Sequence, residues 1–199
     1  GLIQTQGTIR RVDQRGDCMM TIAMREPFVV EIGDSIACNG ICLTAIKVSD
    51  NEFKVSLSAE TLDCTTAKDW AVGTVLNLEP SLRVGDKLGG HFVSGHVDGV
   101  VRAVAAEQSG DSMIWDFEVP PALAGFIAAK GSVTIDGVSL TVNRITPGEG
   151  QTPLSFSVNI IPHTAKMTRF GQLRVGDSVN LEIDMLARYV ARLAETKSA

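Results

Sequence analysis

Ser35-Ile-Ala-Cys-Asn-Gly-Ile-Cys-Leu-Thr44 and Ser132-Val-Thr-Ile-Asp-Gly-Val-Ser-Leu-Thr141 are one pattern written twice, 97 residues apart. The copying continues on both sides of this pattern. Phe53-Lys-Val55 returns as Phe156-Ser-Val158, Thr61 and Thr65 as Thr164 and Thr168, and Asn77-Leu78-Glu79 as Asn180-Leu181-Glu182, all at an offset of 103. Nine of the 27 positions from Phe53 to Glu79 are identical at that offset. A fixed period over so long a window marks a tandem duplication. The offset grows by six where Lys47–Glu52 of the first half corresponds to Arg144–Ser155 of the second. That second stretch holds Pro147-Gly148-Glu149-Gly150-Gln151-Thr152-Pro153, a loop by composition. Upstream, Gly1 matches Gly95 at an offset of 94, so the halves meet near Leu88–Ser94. The division is residues 1–92, residues 93–185 and a tail at 186–199 that belongs to neither repeat.

Each half reads as β-structure. Met20–Met24, Leu43–Val48 and Phe53–Leu57 alternate apolar and polar residues, as do Ile114–Val119, Leu154–Ile160 and Val179–Ile183. Gly33-Asp34, Asp50-Asn51, Gly85-Asp86 and Gly176-Asp177 punctuate them as turns. Five or six strands in about 90 residues predict a small closed antiparallel barrel per half, because closure removes exposed edges. Short helices are expected at Ala59–Asp69, Pro120–Ala129 and Pro162–Phe170. In the tail, Leu186, Tyr189, Val190 and Leu193 fall at helical spacing. A helix with that stripe either covers a barrel end or packs against copies of itself.

The bulk numbers narrow the function. With 44% hydrophobic and 21% charged residues the chain can bury a core, and a net charge of −5 argues against nucleic acid or an anionic membrane as partner. No apolar run reaches the roughly 20 residues of a membrane helix, and no basic, apolar leader is evident, which points to the cytoplasm. Cys18, Cys38, Cys42 and Cys64 form no C-x-x-C pair and the three His lie far along the chain, so reduced thiols are expected rather than a metal site.

Gly89-Gly-His-Phe-Val-Ser-Gly-His-Val-Asp-Gly99 resembles the central signature of the riboflavin synthase family. Asn39–Thr44, Ile135–Val142, Asn159–Thr164 and Asn180–Asp184 are similar to its further motifs, in order and with the family's duplication. Family members begin Met-Phe-Thr-Gly, and the numbered sequence opens at that Gly. The resemblance implies two tandem six-stranded Greek-key barrels and a C-terminal helix. It implies that two molecules of 6,7-dimethyl-8-ribityllumazine react. One gives a four-carbon fragment to the other, yielding riboflavin and a diaminopyrimidine without metal or cofactor. It further implies one lumazine per barrel, and a trimer whose site lies between the first barrel of one subunit and the second of its neighbour. An association with lumazine synthase is left open.

By the same resemblance the substrate-binding positions are Gly1, Leu2, Ile3, Cys42, Leu43, Thr44, Ser56, Leu57, Ser58, Ala59, Glu60, Thr61, Gly95, His96, Val97, Lys130, Ser139, Leu140, Thr141, Asn159, Ile160, Ile161, Pro162, His163 and Thr164. Cys42, His96, Ser139, Thr141 and Asp184 are the catalytic candidates. Cys42 stands where the second half has Ser139, and a thiol or hydroxyl there would orient water or add to the ring; the alternative is a small buried strand residue. Cys38 is expected to be packing, and Cys18 and Cys64 carry no chemical role. His96 follows Gly95 and suits a ligand contact, whereas His91 suits a structural hydrogen bond. Glu60 and His163 occupy matched helix starts and suit the polyol tail. Asp184 has Ser81 as its counterpart; it is either catalytic or a solvated carboxylate. A non-catalytic lumazine or flavin antenna would share the fold but should have a degraded second site. A flavin domain of an oxidoreductase would need a nicotinamide-binding domain, and no G-x-G-x-x-G occurs.

Overall fold

The computed structural model describes residues 1–14, 17–148 and 154–197. Strands β1 (Thr5–Asp13), β2 (Cys18–Met24), β3 (Ser35–Cys38), β4 (Ile41–Ser49), β5 (Glu52–Leu57) and β6 (Val75–Pro80) close in the order β1-β2-β5-β4-β3-β6. Strands β7 (Gly99–Ser109), β8 (Ser112–Glu118), β9 (Ser132–Ile135), β10 (Val138–Thr146), β11 (Ser155–Ile160) and β12 (Ser178–Ile183) close in the same circular order. Alternation fills both barrels. In β2, Cys18, Met20, Ile22 and Met24 are buried while their neighbours face outward, and Phe53, Val55 and Leu57 do the same in β5. The loop expected at Pro147–Pro153 falls largely on 149–153, outside the described residues.

The duplicated decapeptide is a β-hairpin in each barrel. Its two-residue turn has positive φ at both positions, 44° and 76° at Asn39-Gly40 and 44° and 83° at Asp136-Gly137. That geometry selects Asn-Gly and Asp-Gly. The two turns also meet each other. A Cβ on Gly40 would lie 2.7 Å from the Gly137 nitrogen, and one on Gly137 2.9 Å from that of Gly40. The barrels are joined around this point by reciprocal bonds. Asn77 Nδ2 donates to the Asp136 carbonyl (2.8 Å) and Asn180 Nδ2 to the Asn39 carbonyl (2.9 Å). Thr66 N donates to Asn180 Oδ1 (2.8 Å) and Arg169 N to Asn77 Oδ1 (2.7 Å).

The helices are shorter than the sequence predicts. The expected run Ala59–Asp69 breaks into α1 (Ala59–Cys64) and a 3-10 turn at Thr66–Asp69. Thr65 causes the break: its hydroxyl donates to the Thr61 carbonyl (2.6 Å) and accepts from Ala67 N (3.1 Å). Pro120–Ala129 contracts to α2 (Pro121–Ala124), ended by Gly125. In the second repeat Thr168 divides α3 (Pro162–Met167) from a 3-10 turn just as Thr65 does. The matched threonines are stop signals. The tail is α4 (Met185–Lys197), anchored by Arg188 on Asp98 (2.9 Å). Its stripe is not spent on a barrel end: Leu186, Tyr189, Val190 and Leu193 are each more than 60% exposed.

Candidate active site

Strand alternation sorts the decapeptide. Leu43 points into the first core, and Cys42 and Thr44 stand exposed on the outer face. In the second barrel Ser139 is half-buried and Thr141 exposed. Strand β5 lies beside β4, with Ala45 opposite Val55, so Cys42–Thr44 and Ser56–Leu57 run out together towards α1. There Ser58 caps the helix, accepting from Thr61 N at 3.1 Å, with Ala59 and Glu60 exposed beside it. In the second barrel Val142 faces Val158 and the chain passes from Asn159 into α3. Ile161, Pro162 and His163 are exposed at that helix start, and no side chain caps it. Leu57 and Ile160 turn inward, so they and Leu43 can offer a ligand only backbone. Leu140 packs partly buried on the second core.

Each mouth is finished by a segment from the opposite half. Gly95, which precedes β7, accepts from Cys42 N in the first barrel (2.8 Å), and Val97 packs on that barrel's core. Gly1, which precedes β1, accepts from Ser139 N in the second (3.1 Å), and Ile3 packs on the second core. Side chains would block both approaches: a Cβ would sit 2.8 Å from Cys42 Cβ at Gly95 and 2.7 Å from Ser139 Cβ at Gly1. The matched glutamates hold the exchanged segments. Glu182, almost fully buried, accepts from Ser94 N, Ser94 Oγ and Gly95 N at 2.7–2.9 Å. Glu79 accepts from Gly1 N (2.7 Å) and from Leu2 N (2.9 Å). The repeat alignment flags Glu79 and Glu182, as well as Asn77 and Asn180. Identity of type across two copies nevertheless does not disclose that the asparagines bond the other half, or that each glutamate holds a segment of its own half that crosses to the other barrel.

His91 is the side chain that sets the mouths apart. It is buried, with Nδ1 2.8 Å from Ser139 Oγ and Nε2 3.0 Å from Thr134 Oγ1. Burial lowers its pKa, against the pull of Asp184 and Glu182. At neutral pH it is an uncharged ring joining two hydroxyls, the structural bond expected of it. His96 is exposed next to Gly95. Asp184 is half-buried and tied into the start of α4, where Oδ1 accepts from Leu186 N at 2.9 Å. Its carboxylate is therefore neither simply solvated nor free of structural duty. Lys130 is exposed in a left-handed turn, φ 65°. Cys42, Gly95, Ser94, His91, Gly1 and Glu79 share a cleft of about 130 Å³. That is less than the roughly 300 Å³ at the lower end of small-molecule sites.

The other thiols sit apart. Cys38 is fully buried, and burial pushes its thiol far up. Cys18 is buried too, and Cys64 donates to Glu60 Oε1 at 3.2 Å. Among the described residues no cluster of three or more His, Cys, Asp or Glu could hold a metal ion.

Residues 1–81 and 94–184 each match the lumazine binding domain. Over 202 residues the chain is 41% identical to riboflavin synthase of Brucella abortus, covering 98% of this chain and 97% of that protein. It is 38% identical over 194 residues to riboflavin synthase of Bacillus subtilis, covering 96% and 87% respectively. The chain belongs to the riboflavin synthase family. Two solved structures, of LumP complexed with 6,7-dimethyl-8-(1'-D-ribityl) lumazine and with riboflavin, superpose with TM-scores of 0.76 and 0.79. Each alignment covers 91% of this chain and 96% of the other at 22–23% identity, a likeness of fold. Riboflavin synthase family membership thus rests on sequence along nearly the whole chain, and the fold agrees with it.

Proposed function

We propose that the chain converts two molecules of 6,7-dimethyl-8-ribityllumazine into riboflavin and 5-amino-6-ribitylamino-pyrimidinedione by transfer of a four-carbon unit. The observation that carries this is the pair of mouths, each bearing a hydroxyl or thiol and a Thr on one strand face, in a chain 41% identical to a riboflavin synthase. A reaction between two copies of one substrate needs two binding places. Holding both rings in register makes a bimolecular step effectively unimolecular, worth several kcal/mol.

In this reading Cys42 with Thr44 and Ser139 with Thr141 face one ring each. Gly1–Ile3 and Gly95–Val97 form the walls, and the starts of α1 and α3, with Ser58–Thr61 and Ile161–Thr164, take the ribityl tails. Ser139, its hydroxyl fixed by His91, orients the water or adds to the ring, while His96 assists removal of the methyl proton. Asp184 acts on the second mouth through its charge, and Lys130 serves a neighbouring subunit's ligand. The cleft in one chain is small, which supports completion of the site by another copy. The exposed stripe on α4 supports assembly through that helix, here proposed as a trimer in the cytoplasm.

The test is to incubate the purified chain with the lumazine alone and follow riboflavin by its absorbance. One riboflavin should appear for every two lumazines consumed, and no riboflavin would overturn the proposal. Cys42→Ser should keep measurable turnover and Cys42→Ala lose much more. Cys38→Ala should cost stability but leave turnover per folded molecule nearly intact.

A further inference from the structure

Away from both mouths, the outer wall of the first barrel carries a row of cations. Arg11 on β1 stands opposite Thr21 on β2, Thr21 opposite Lys54 on β5, and Lys54 opposite Lys47 on β4. All four face outward, because Val12, Ile22, Phe53 and Val48 beside them pack in or against the core. The register shifts between Ile9 and Arg11 and between Ala45 and Lys47 are bulges. Each adds one residue to its strand, which brings Arg11 and Lys47 onto the outer face. Lys47 and Lys54 are a directly opposed like-charge pair, which costs stability in a sheet. Among the described residues neither forms an ion pair, and the row's one such contact is the long Arg11–Asp13 approach at 3.7 Å.

The duplication supplies the control. The equivalent row of the second barrel is Ala105, Asp116, Ser157 and Arg144. There Asp116 stands where the first barrel has Thr21, and it pairs with Arg144 at 3.6 Å. One wall neutralises its row and the other loads it with three cations and a hydroxyl. That row lines a depression of about 260 Å³, shared with Ser49 and with two carboxylates on flanking rows, Asp13 and Glu52.

We infer that this depression is a binding site for a phosphate group, as the free dianion or as a monoester. Lys47, Lys54 and Arg11 surround it with charge and Thr21 and Ser49 add hydroxyl donors. A compact tetrahedral dianion relieves the Lys47–Lys54 repulsion, which a neutral or cationic ligand does not. Asp13 and Glu52 limit the affinity and exclude larger polyanions by repulsion at the rim. The site lies about 15 Å along β4 from Cys42, taking five residues of strand, so it is separate from the lumazine sites.

The experiment is calorimetric titration of the full chain with inorganic phosphate and, in a second arm, with glycerol phosphate. Ionic strength is held constant with chloride. Saturable binding is expected, and the tighter arm identifies the physiological form. Thr21→Asp, which installs the second barrel's residue, should weaken binding about tenfold or more. It should also raise the urea midpoint in phosphate-free buffer. Lys54→Ser, again the second barrel's residue, should act the same way on binding and serves if Thr21→Asp does not fold. Undiminished binding in both variants, or no binding beyond the chloride control, overturns the inference.

Discussion

The two barrels share a backbone and differ in how they use it. At the hairpin turn the first barrel has Asn39 and the second Asp136, and each side chain accepts from the partner strand, from Asn77 N at 2.7 Å and Asn180 N at 2.8 Å. The same architectural bond is made by a neutral amide in one copy and a carboxyl in the other. Asp136 then draws in Arg169, whose Nη1 lies 2.6 Å away, while the matching position in the first half is Thr66. At the mouths the pattern repeats, with Cys42 exposed and Ser139 held by His91. What both halves need to close and join, Asn-Leu-Glu above all, has stayed identical. What has diverged includes the residue beside Leu-Thr on each mouth strand, Cys42 in one copy and Ser139 in the other, so two copies of one fold present different surfaces.

The largest test strikes the shared part. Asn180→Ala deletes the acceptor of Thr66 N and the donor to the Asn39 carbonyl, leaving two buried groups without partners. At 1–3 kcal/mol each, the loss should be roughly 4 kcal/mol in urea denaturation. Asn77→Ala should cost somewhat less, because its Arg169 partner is only part-buried. A negligible effect of both would mean that the barrels are joined by something other than this reciprocal network.

A second test strikes the divergent part. Burial pushes the Asp136 carboxyl up to about 6, against the pull of Arg169 and of Asn180 N–H. The unfolded carboxyl titrates near 3.9, so the fold favours the protonated form. That contribution is fully present below about pH 4 and is lost as pH rises through about 6. Asp136→Asn, which copies the first barrel, removes it. The stability of the parent minus that of the variant should therefore fall by about 2 kcal/mol between pH 4 and 7. A flat difference would show that Arg169 fully offsets the burial of the carboxyl, and that the two turns are electrostatically equivalent.

The duplication made much of this legible in advance. Two copies of a Gly-containing hairpin with alternating strands on either side admit few folds, and the matched Asn, Thr and Glu positions stood out by identity alone. Their jobs did not. Glu182 binds the segment at Ser94-Gly95, but sequence matching cannot tell a bond within a barrel from one to a crossing segment. The expected helices run past Thr65 and Thr168, where a hydroxyl bond to the preceding turn, which composition alone does not announce, halts the α-helix. His91 lies in the most recognisable motif of the chain. Its bond to Ser139 spans 48 residues, a separation that no local pattern conveys.

The smallest expected effect concerns the helix starts beside the two mouths. Ser58 caps α1, and its hydroxyl lies 3.0 Å from Thr61 Oγ1 besides accepting from Thr61 N. Ile161 occupies the matching place before α3 and makes no side-chain bond. Ser58→Ala should lower stability by about 1 kcal/mol, the ordinary worth of a cap, while Ile161→Ser should raise it by a similar or smaller amount. The second change separates two explanations of the asymmetry. If the uncapped start of α3 is merely tolerated, Ile161→Ser stabilises the chain and leaves ligand affinity unchanged. If its free backbone donors serve the ligand in the second mouth, the new hydroxyl competes for them. The same variant then gains stability alone but binds an unreactive lumazine analogue more weakly. Titration of the variant and the parent with that analogue, resolved into two sites per chain, reads the difference. The proposal for the second mouth requires weakening at one site only, and affinities unchanged from the parent at both sites would assign the uncapped turn to neutral drift.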